Sequence, residues 1–233
     1  MKNIKAIIGS IFLFLVVGYQ VSNAQNPEMR NLQDFSGVDF SGAYEVILQA
    51  SNETKVEVTG TKDIPNEDIV TEVKNNILKV YFKKEKYRNI NKSPKLVVFY
   101  KQLNSIDNSG AVNVKTEGTL QANNLTIDVA GAGNLNLNIN AEKLTVDMSG
   151  AANITLTGKA ATQKYEVSGA GNISAYELEG DNVNVELSGV ASAKVHAKQV
   201  LEVEISGMGS VKYRGNPQKI KTSESMMGSV KAE

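Results

Sequence analysis

The sequence predicts an all-β protein: a single-stranded parallel β-helix of about 19–20-residue coils behind a β-rich N-terminal capping region. Three observations predict it. A short corner recurs as NSGAVN ending at Asn113, AGAGN at Asn134, SGAAN at Asn153, SGAGN at Asn172, SGVAS at Ser192, SGMGS at Ser210 and SMMGS at Ser229. Its first position (Ser109, Ala130, Ser149, Ser168, Ser188, Ser206, Ser225) advances by 21, 19, 19, 20, 18 and 19 residues, a period that marks stacked repeats. Before each corner the residues alternate, as in Leu125-Thr126-Ile127-Asp128-Val129 and Leu144-Thr145-Val146-Asp147-Met148. That is the pattern of a strand with one buried face.

Residues 1–24 read as a secretory signal peptide. Lys2 and Lys5 precede an apolar run from Ile7 to Val17, and Ser22 and Ala24 stand where a signal peptidase needs small residues. The run is short for a membrane span of roughly 20 residues, no Cys follows that could carry a lipid, and no later segment has the length or apolarity of a span. Export to the periplasm, outer cell surface or medium is expected. Without Lys2 and Lys5, 23 basic residues face 25 acidic ones, a formal charge of −2. That balance gives no general attraction to nucleic acid or an anionic membrane. With no Cys there is neither a disulfide nor thiol chemistry. The absence of Trp and the 19 glycines suit flat, repetitive β structure better than a deep pocket.

Residues 25–103 form the expected capping region. Phe35–Phe40 and Ala43–Leu48 read as strands around a turn at Ser41-Gly42, followed by strands at Lys55–Val58 and Ile77–Phe82 with Asn75-Asn76 as a turn signal. Pro65–Val73 fits a short helix or a strand. Lys83–Pro94 is a charged loop, and Lys95–Leu103 leads into the coils. Such a region would cover an exposed solenoid end.

Residues 104–233 hold the repeats, each with two short strands and two turns. Parallel stacking explains them better than a hairpin array, because it places like residues in columns about 4.8 Å apart. About seven coils give roughly 30 Å of stack. A hexapeptide helix is excluded by Lys143 in the run Leu125, Gly131, Leu137, Lys143. The general chirality of parallel crossovers favours a right-handed coil. Gly at the second corner position answers either a positive φ or a close backbone approach. Asn at the fifth tolerates the left-handed region or bonds along its column. The polar last repeat, Ile220–Glu233, is expected to cap the other end.

The sharpest charged feature lies two residues before each corner. Asp107, Asp128, Asp147, Glu166, Glu186 and Glu204 form a column of carboxylates on the outward face. It reads as a solvated face or as a surface-contact strip for a divalent cation or a cationic surface. Neighbours 4.8 Å apart repel by about 0.9 kcal/mol in bulk water, and Lys143, Lys164 and Lys198 could soften that. The Gly-Gly-x-Gly-x-Asp calcium motif is absent, and a flat column does not converge on a metal. Evenly repeated carboxylates also give no asymmetry to separate an acid from a base. His196, the only histidine, stands on an outward position with no nucleophile suggested beside it. No catalytic, cofactor or metal residues are assigned. The basic loop Lys83–Lys92, with Tyr87 inside, reads as hydrated or as a contact for anionic glycan. No Gly-rich corner leads into a helix that could hold phosphate.

The leader, the opening FSGVDFSGAYEVILQ at Phe35 and the SGAGN-type corners together resemble the bacterial family called "putative auto-transporter adhesin, head GIN domain", over about 32–233. The resemblance implies a β-helical, extracytoplasmic protein acting in adhesion, and supplies no catalytic residues. The expected function is therefore non-enzymatic binding of a glycan or cell-surface component by a rigid repetitive face. The alternatives are a carbohydrate-active enzyme using the surface carboxylates, and an envelope scaffold assembling through its terminal coils.

Overall fold

The computed structural model describes residues 26–84, 87, 93–225 and 227–233. The expected signal peptide and most of the basic loop lie outside the described residues. The strands are β1 (Glu28–Asn31), β2 (Gly37–Ser41), β3 (Ala43–Ala50), β4 (Lys55–Thr59), β5 (Ile69–Lys74), β6 (Ile77–Phe82), β7 (Lys95–Tyr100), β8 (Ser105–Asn108) and β9 (Ala111–Glu117). The longer β10 (Leu120–Val129), β11 (Ala132–Met148), β12 (Ala151–Val167), β13 (Ala170–Leu187) and β14 (Val190–Ile205) follow, then β15 (Met208–Arg214), β16 (Lys219–Glu224) and β17 (Ser229–Ala232).

The coils are parallel and in register, as the columns require. Leu125 pairs with Leu144, Asp128 with Asp147 and Asn134 with Asn153. Period-2 alternation turns Leu125, Ile127, Val129 and their equivalents into one continuous buried core. The protein is a β-solenoid of about seven coils of about 19 residues, preceded by a curled mixed sheet.

Two details differ from the sequence reading, and a third decides between alternatives it left open. Strands β11 to β14 run 16–18 residues without a break, so each repeat is not two short strands and two turns. At the second corner the strand continues while the ladder skips one residue: Ala141 pairs with Ala160 and Lys143 with Thr162, Glu142 and Lys143 are both exposed, and the alternation resets between buried Ala141 and Leu144. Second, Gly37–Ala50 lies inside the stack, although 103/104 was the expected start of the coils. Strand β2 pairs in parallel with β8, and β3 with β9, aligning Ala43 with Ala111 and Glu45 with Asn113. Ser41-Gly42-Ala43 is thus an eighth corner, separated from the others by the inserted segment 51–104.

Third, the corner glycines are there for space. Positive φ among glycines occurs at Gly118, Gly133, Gly158 and Gly215, none of them in the second corner column. A Cβ on Gly131, Gly150, Gly169 or Gly189 would overlap the carbonyl oxygen of the preceding coil's glycine. That carbonyl is committed: Gly131 O accepts from Ala151 N at 3.0 Å, and Gly150 O from Ala170 N at 3.0 Å. The Asn column is not left-handed either, since positive φ outside glycine occurs at Asn75 and Asn76. Those two form the tight turn joining β5 to β6 in antiparallel register.

The ends are closed differently. At the N-terminal end β4 pairs antiparallel with β7 and β1 with β4, while β5 pairs antiparallel with β6. Residues 66–68 form a 3-10 turn and 69–74 the strand, so Pro65–Val73 holds both expected elements. Buried Asp68 clamps this region, with Lys84 Nζ at 2.7 Å and the Tyr87 hydroxyl at 2.5 Å. At the other end the core columns turn polar. Thr222 follows Val203 and Glu224 follows Ile205, and every residue of β16 is exposed.

Candidate functional site

Two outward faces flank the Ser-Gly corner. On the face before the corner the six carboxylates stand in one column: Asp107 pairs with Asp128, Asp128 with Asp147, Asp147 with Glu166, Glu166 with Glu186 and Glu186 with Glu204. The fold adds Asp39, paired with Asp107, and ends the column at Lys79, whose Nζ is 3.5 Å from the Asp39 carboxylate. Asp39 was missed because the insertion hides the period. The signal existed, since Asp39 precedes Ser41 as Asp107 precedes Ser109.

The column is electrostatically unfavourable. Partial burial, then the charges of Asp128 and Asp39, raise the Asp107 carboxyl above its ordinary pKa. Asp147 is raised by burial and by Asp128 and Glu166. Relief comes from Lys164, 2.6 Å from Glu166 and 3.7 Å from Glu186. Lys143 and Lys198 do not share that role. Both stand at the second corner, where Lys198 pairs with Glu179. Among the described residues no group of three or more His, Asp or Glu side chains is placed to hold a metal ion.

The face after the corner carries amides and hydroxyls. Asn113 Nδ2 donates to Glu45 Oε1 at 2.8 Å, Asn134 to Asn113 at 2.9 Å, Asn153 to Asn134 at 3.2 Å and Asn172 to Asn153 at 2.9 Å. Ser192 closes the run on Asn172 at 2.5 Å. One strand position further lies a second column: Lys115, Asn136, Thr155, Ser174, Lys194, Lys212 and Lys231. Its basic end was missed, although VASAKV, MGSVKY and MGSVKA write the same Lys two residues after Ser.

The backbone donors of the corner are already used within the stack. Ser149 N and Gly150 N both donate to Val129 O, Ser168 N and Gly169 N both to Met148 O, and the next residue donates to the glycine carbonyl below. The donors that an anion would need are spent inside the stack. Tyr87 is not displayed for contact either. It is buried, and Asp68 holds it. His196, half-buried, meets the Tyr176 carbonyl through Nδ1 at 3.2 Å. Among the described residues no helix is long and apolar enough to cross a membrane.

Solved structures share this architecture. A putative adhesin from Bacteroides fragilis NCTC 9343 is 26% identical with TM-score 0.84, covering 89% of this chain and 96% of that one. Putative adhesins from Parabacteroides merdae ATCC 43184 (20% identity, TM-score 0.64, 91% and 97% covered) and Parabacteroides distasonis ATCC 8503 (20%, 0.65, 89% and 96%) show the same fold. No curated protein matches the chain. The family described as "Putative auto-transporter adhesin, head GIN domain" matches residues 34–217, the span from the first coil to the last full one, and the chain belongs to that family.

Proposed function

We propose that the protein is an extracytoplasmic, non-enzymatic binding module that holds a glycan or another repetitive cell-surface component along its outer faces. One observation supports this most directly: equivalent polar side chains of successive coils stand in register, Asp128 on Asp147 and Asn134 on Asn153. A rigid array of equal contacts suits a repeating partner, because weak contacts add through effective concentration. The carboxylate column Asp107, Asp128, Asp147, Glu166, Glu186 and Glu204 is one contact strip, offering acceptors. The amide and hydroxyl face offers donors as well. Kinship with proteins described as adhesins supports the role, and the leader-like residues 1–24 support export.

A glycan array printed at avidity-favouring density tests the reading. Binding that weakens in Asp128→Asn/Asp147→Asn or in Asn134→Ala/Asn153→Ala identifies the contact face. Absence of binding to every glycan counts against it. Sugar release by the purified protein, abolished in Asp147→Asn, would replace it with an enzyme. Protease shaving of intact cells separates surface display from a periplasmic location.

A further inference from the structure

Within the coils the register is irregular at β13, and charge gathers there. The corner spacing of 20 residues followed by 18 has its counterpart in β13. Its register against β12 shifts at Thr155/Thr157, and against β14 between Ala175 and Glu179. Tyr176 is paired on neither side, while Glu177 pairs with Thr157 of β12 and with no residue of β14. Bulges commonly re-aim a side chain for use.

The bulge puts the Tyr176 ring under the basic end of the amide face. Arg214 Cζ lies 4.3 Å from the ring centroid and Lys194 Nζ 5.6 Å. Arg214 also reaches Glu177 at 3.5 Å, and His196 bonds the Tyr176 carbonyl. A carboxylate already rests here. Glu233 Oε1 is 3.1 Å from Lys212 Nζ, and the Glu233 N–H donates to Tyr213 O at 3.0 Å. The enclosed Tyr176 hydroxyl faces that carboxylate without closing a hydrogen bond of standard geometry. Tyr176 and Lys212 hold the Glu233 carboxyl below the usual range. Three cations, an under-used hydroxyl and a resident carboxylate describe a receptor for carboxylate groups.

We propose that the Tyr176 bulge, with Lys194, Lys212 and Arg214, binds the carboxylates of an acidic polysaccharide, and that Glu233 is a displaceable internal occupant of the site. The proposal rests on the binding reading above and names its ligand class. Lys231, one coil beyond Lys212 in the same column, extends the site towards the next acidic unit of a chain.

Titration with size-fractionated oligogalacturonate tests it, with heparin fragments as a sulfate arm and dextran as a neutral arm. Glu233→Gln should tighten oligogalacturonate binding about tenfold, the ordinary worth of one charge-assisted bond. Lys212→Gln/Arg214→Gln should weaken it by at least that factor, with Lys212→Arg/Arg214→Lys restoring most of it. The thermal midpoint, read in parallel, should be unchanged, since all these side chains except Tyr176 are exposed. Oligogalacturonate binding that is equal in all variants overturns the proposal, as does preference for heparin. Dextran binding that persists unchanged in every variant, with no oligogalacturonate binding, leaves the glycan-binding reading standing and sinks this site alone.

Discussion

Two ladders flank the same corner at the same spacing and behave oppositely. In the amide ladder each rung donates to the one before it, from Asn113 on Glu45 to Ser192 on Asn172. In the carboxylate ladder no rung can donate, and Asp107 and Asp147 are pushed up in pKa by burial and by their neighbours. The stack fixes the distance, and the side-chain chemistry fixes the sign. An amide column stabilises the coils it joins. A carboxylate column costs stability, which the core must offset, so its presence on the opposite face needs another reason, and a contact surface is the one proposed here.

Both ladders hang on the glycine corner, so the largest effect is expected there. Gly150→Ala would drive a Cβ into the Gly131 carbonyl, which is held by Ala151 N. The backbone must separate or the coil must shift, at a cost of about 3 kcal/mol or more. Glu142→Ala at the exposed second corner should change stability by less than about 0.5 kcal/mol. Urea unfolding of the two variants measures the contrast. Equal midpoints would show that the corner does not hold the ladders in register.

Asn153→Asp breaks the comparison at a single rung by placing a carboxylate in the amide ladder. Asn134 Oδ1 loses its donor and faces a charge, while the bond from Asn172 can persist. A loss of about 1 kcal/mol is expected, read as a shift in the urea midpoint at constant m-value. No change would mean that the exposed amides are satisfied equally well by water.

How much of this was legible follows from the same physics. Columns announce themselves because parallel register repeats chemistry, so Asp128 over Asp147 and Asn134 over Asn153 could be read from spacing alone. The second corner could not. The ladder skips only Glu142 there, so the bend needs neither Gly nor Pro, and Ala141-Glu142-Lys143 carries no turn signal. The first coil was masked by distance: Ser41-Gly42-Ala43 matches the corner, but segment 51–104, which includes the antiparallel strands β4 and β5, interrupts the period. The Tyr176 bulge was present only as an irregular step, one coil of 20 residues and then one of 18, and nothing in a spacing says which residue is extruded.

The smallest expected effect sharpens the comparison most, because its sign depends on pH. Asp147→Asn removes repulsion from two neighbours, about 0.9 kcal/mol each in bulk water before screening, so a gain of roughly 0.5–1 kcal/mol is expected at low salt, fading above 0.1 M. The folded Asp147 carboxyl is raised above its reference value of 3.8. In the native protein its favourable, protonated state is fully present below that reference and is lost as pH rises through the folded value. The variant's advantage should therefore be full at neutral pH, shrink as pH falls through the raised folded value and disappear below 3.8. Asp68 at the N-terminal end gives the opposite profile, because Lys84 and then Tyr87 lower its carboxyl. Its stabilisation is present above the reference value and is lost as pH falls through the depressed folded value, so Asp68→Asn should destabilise at neutral pH and converge with the parent in acid. Acid unfolding of the parent mixes both contributions, but subtracting each variant's pH profile from the parent's separates them. Two differences of the same sign would mean that the carboxylate column is not under strain, and the energetic contrast between the two ladders would fall with it.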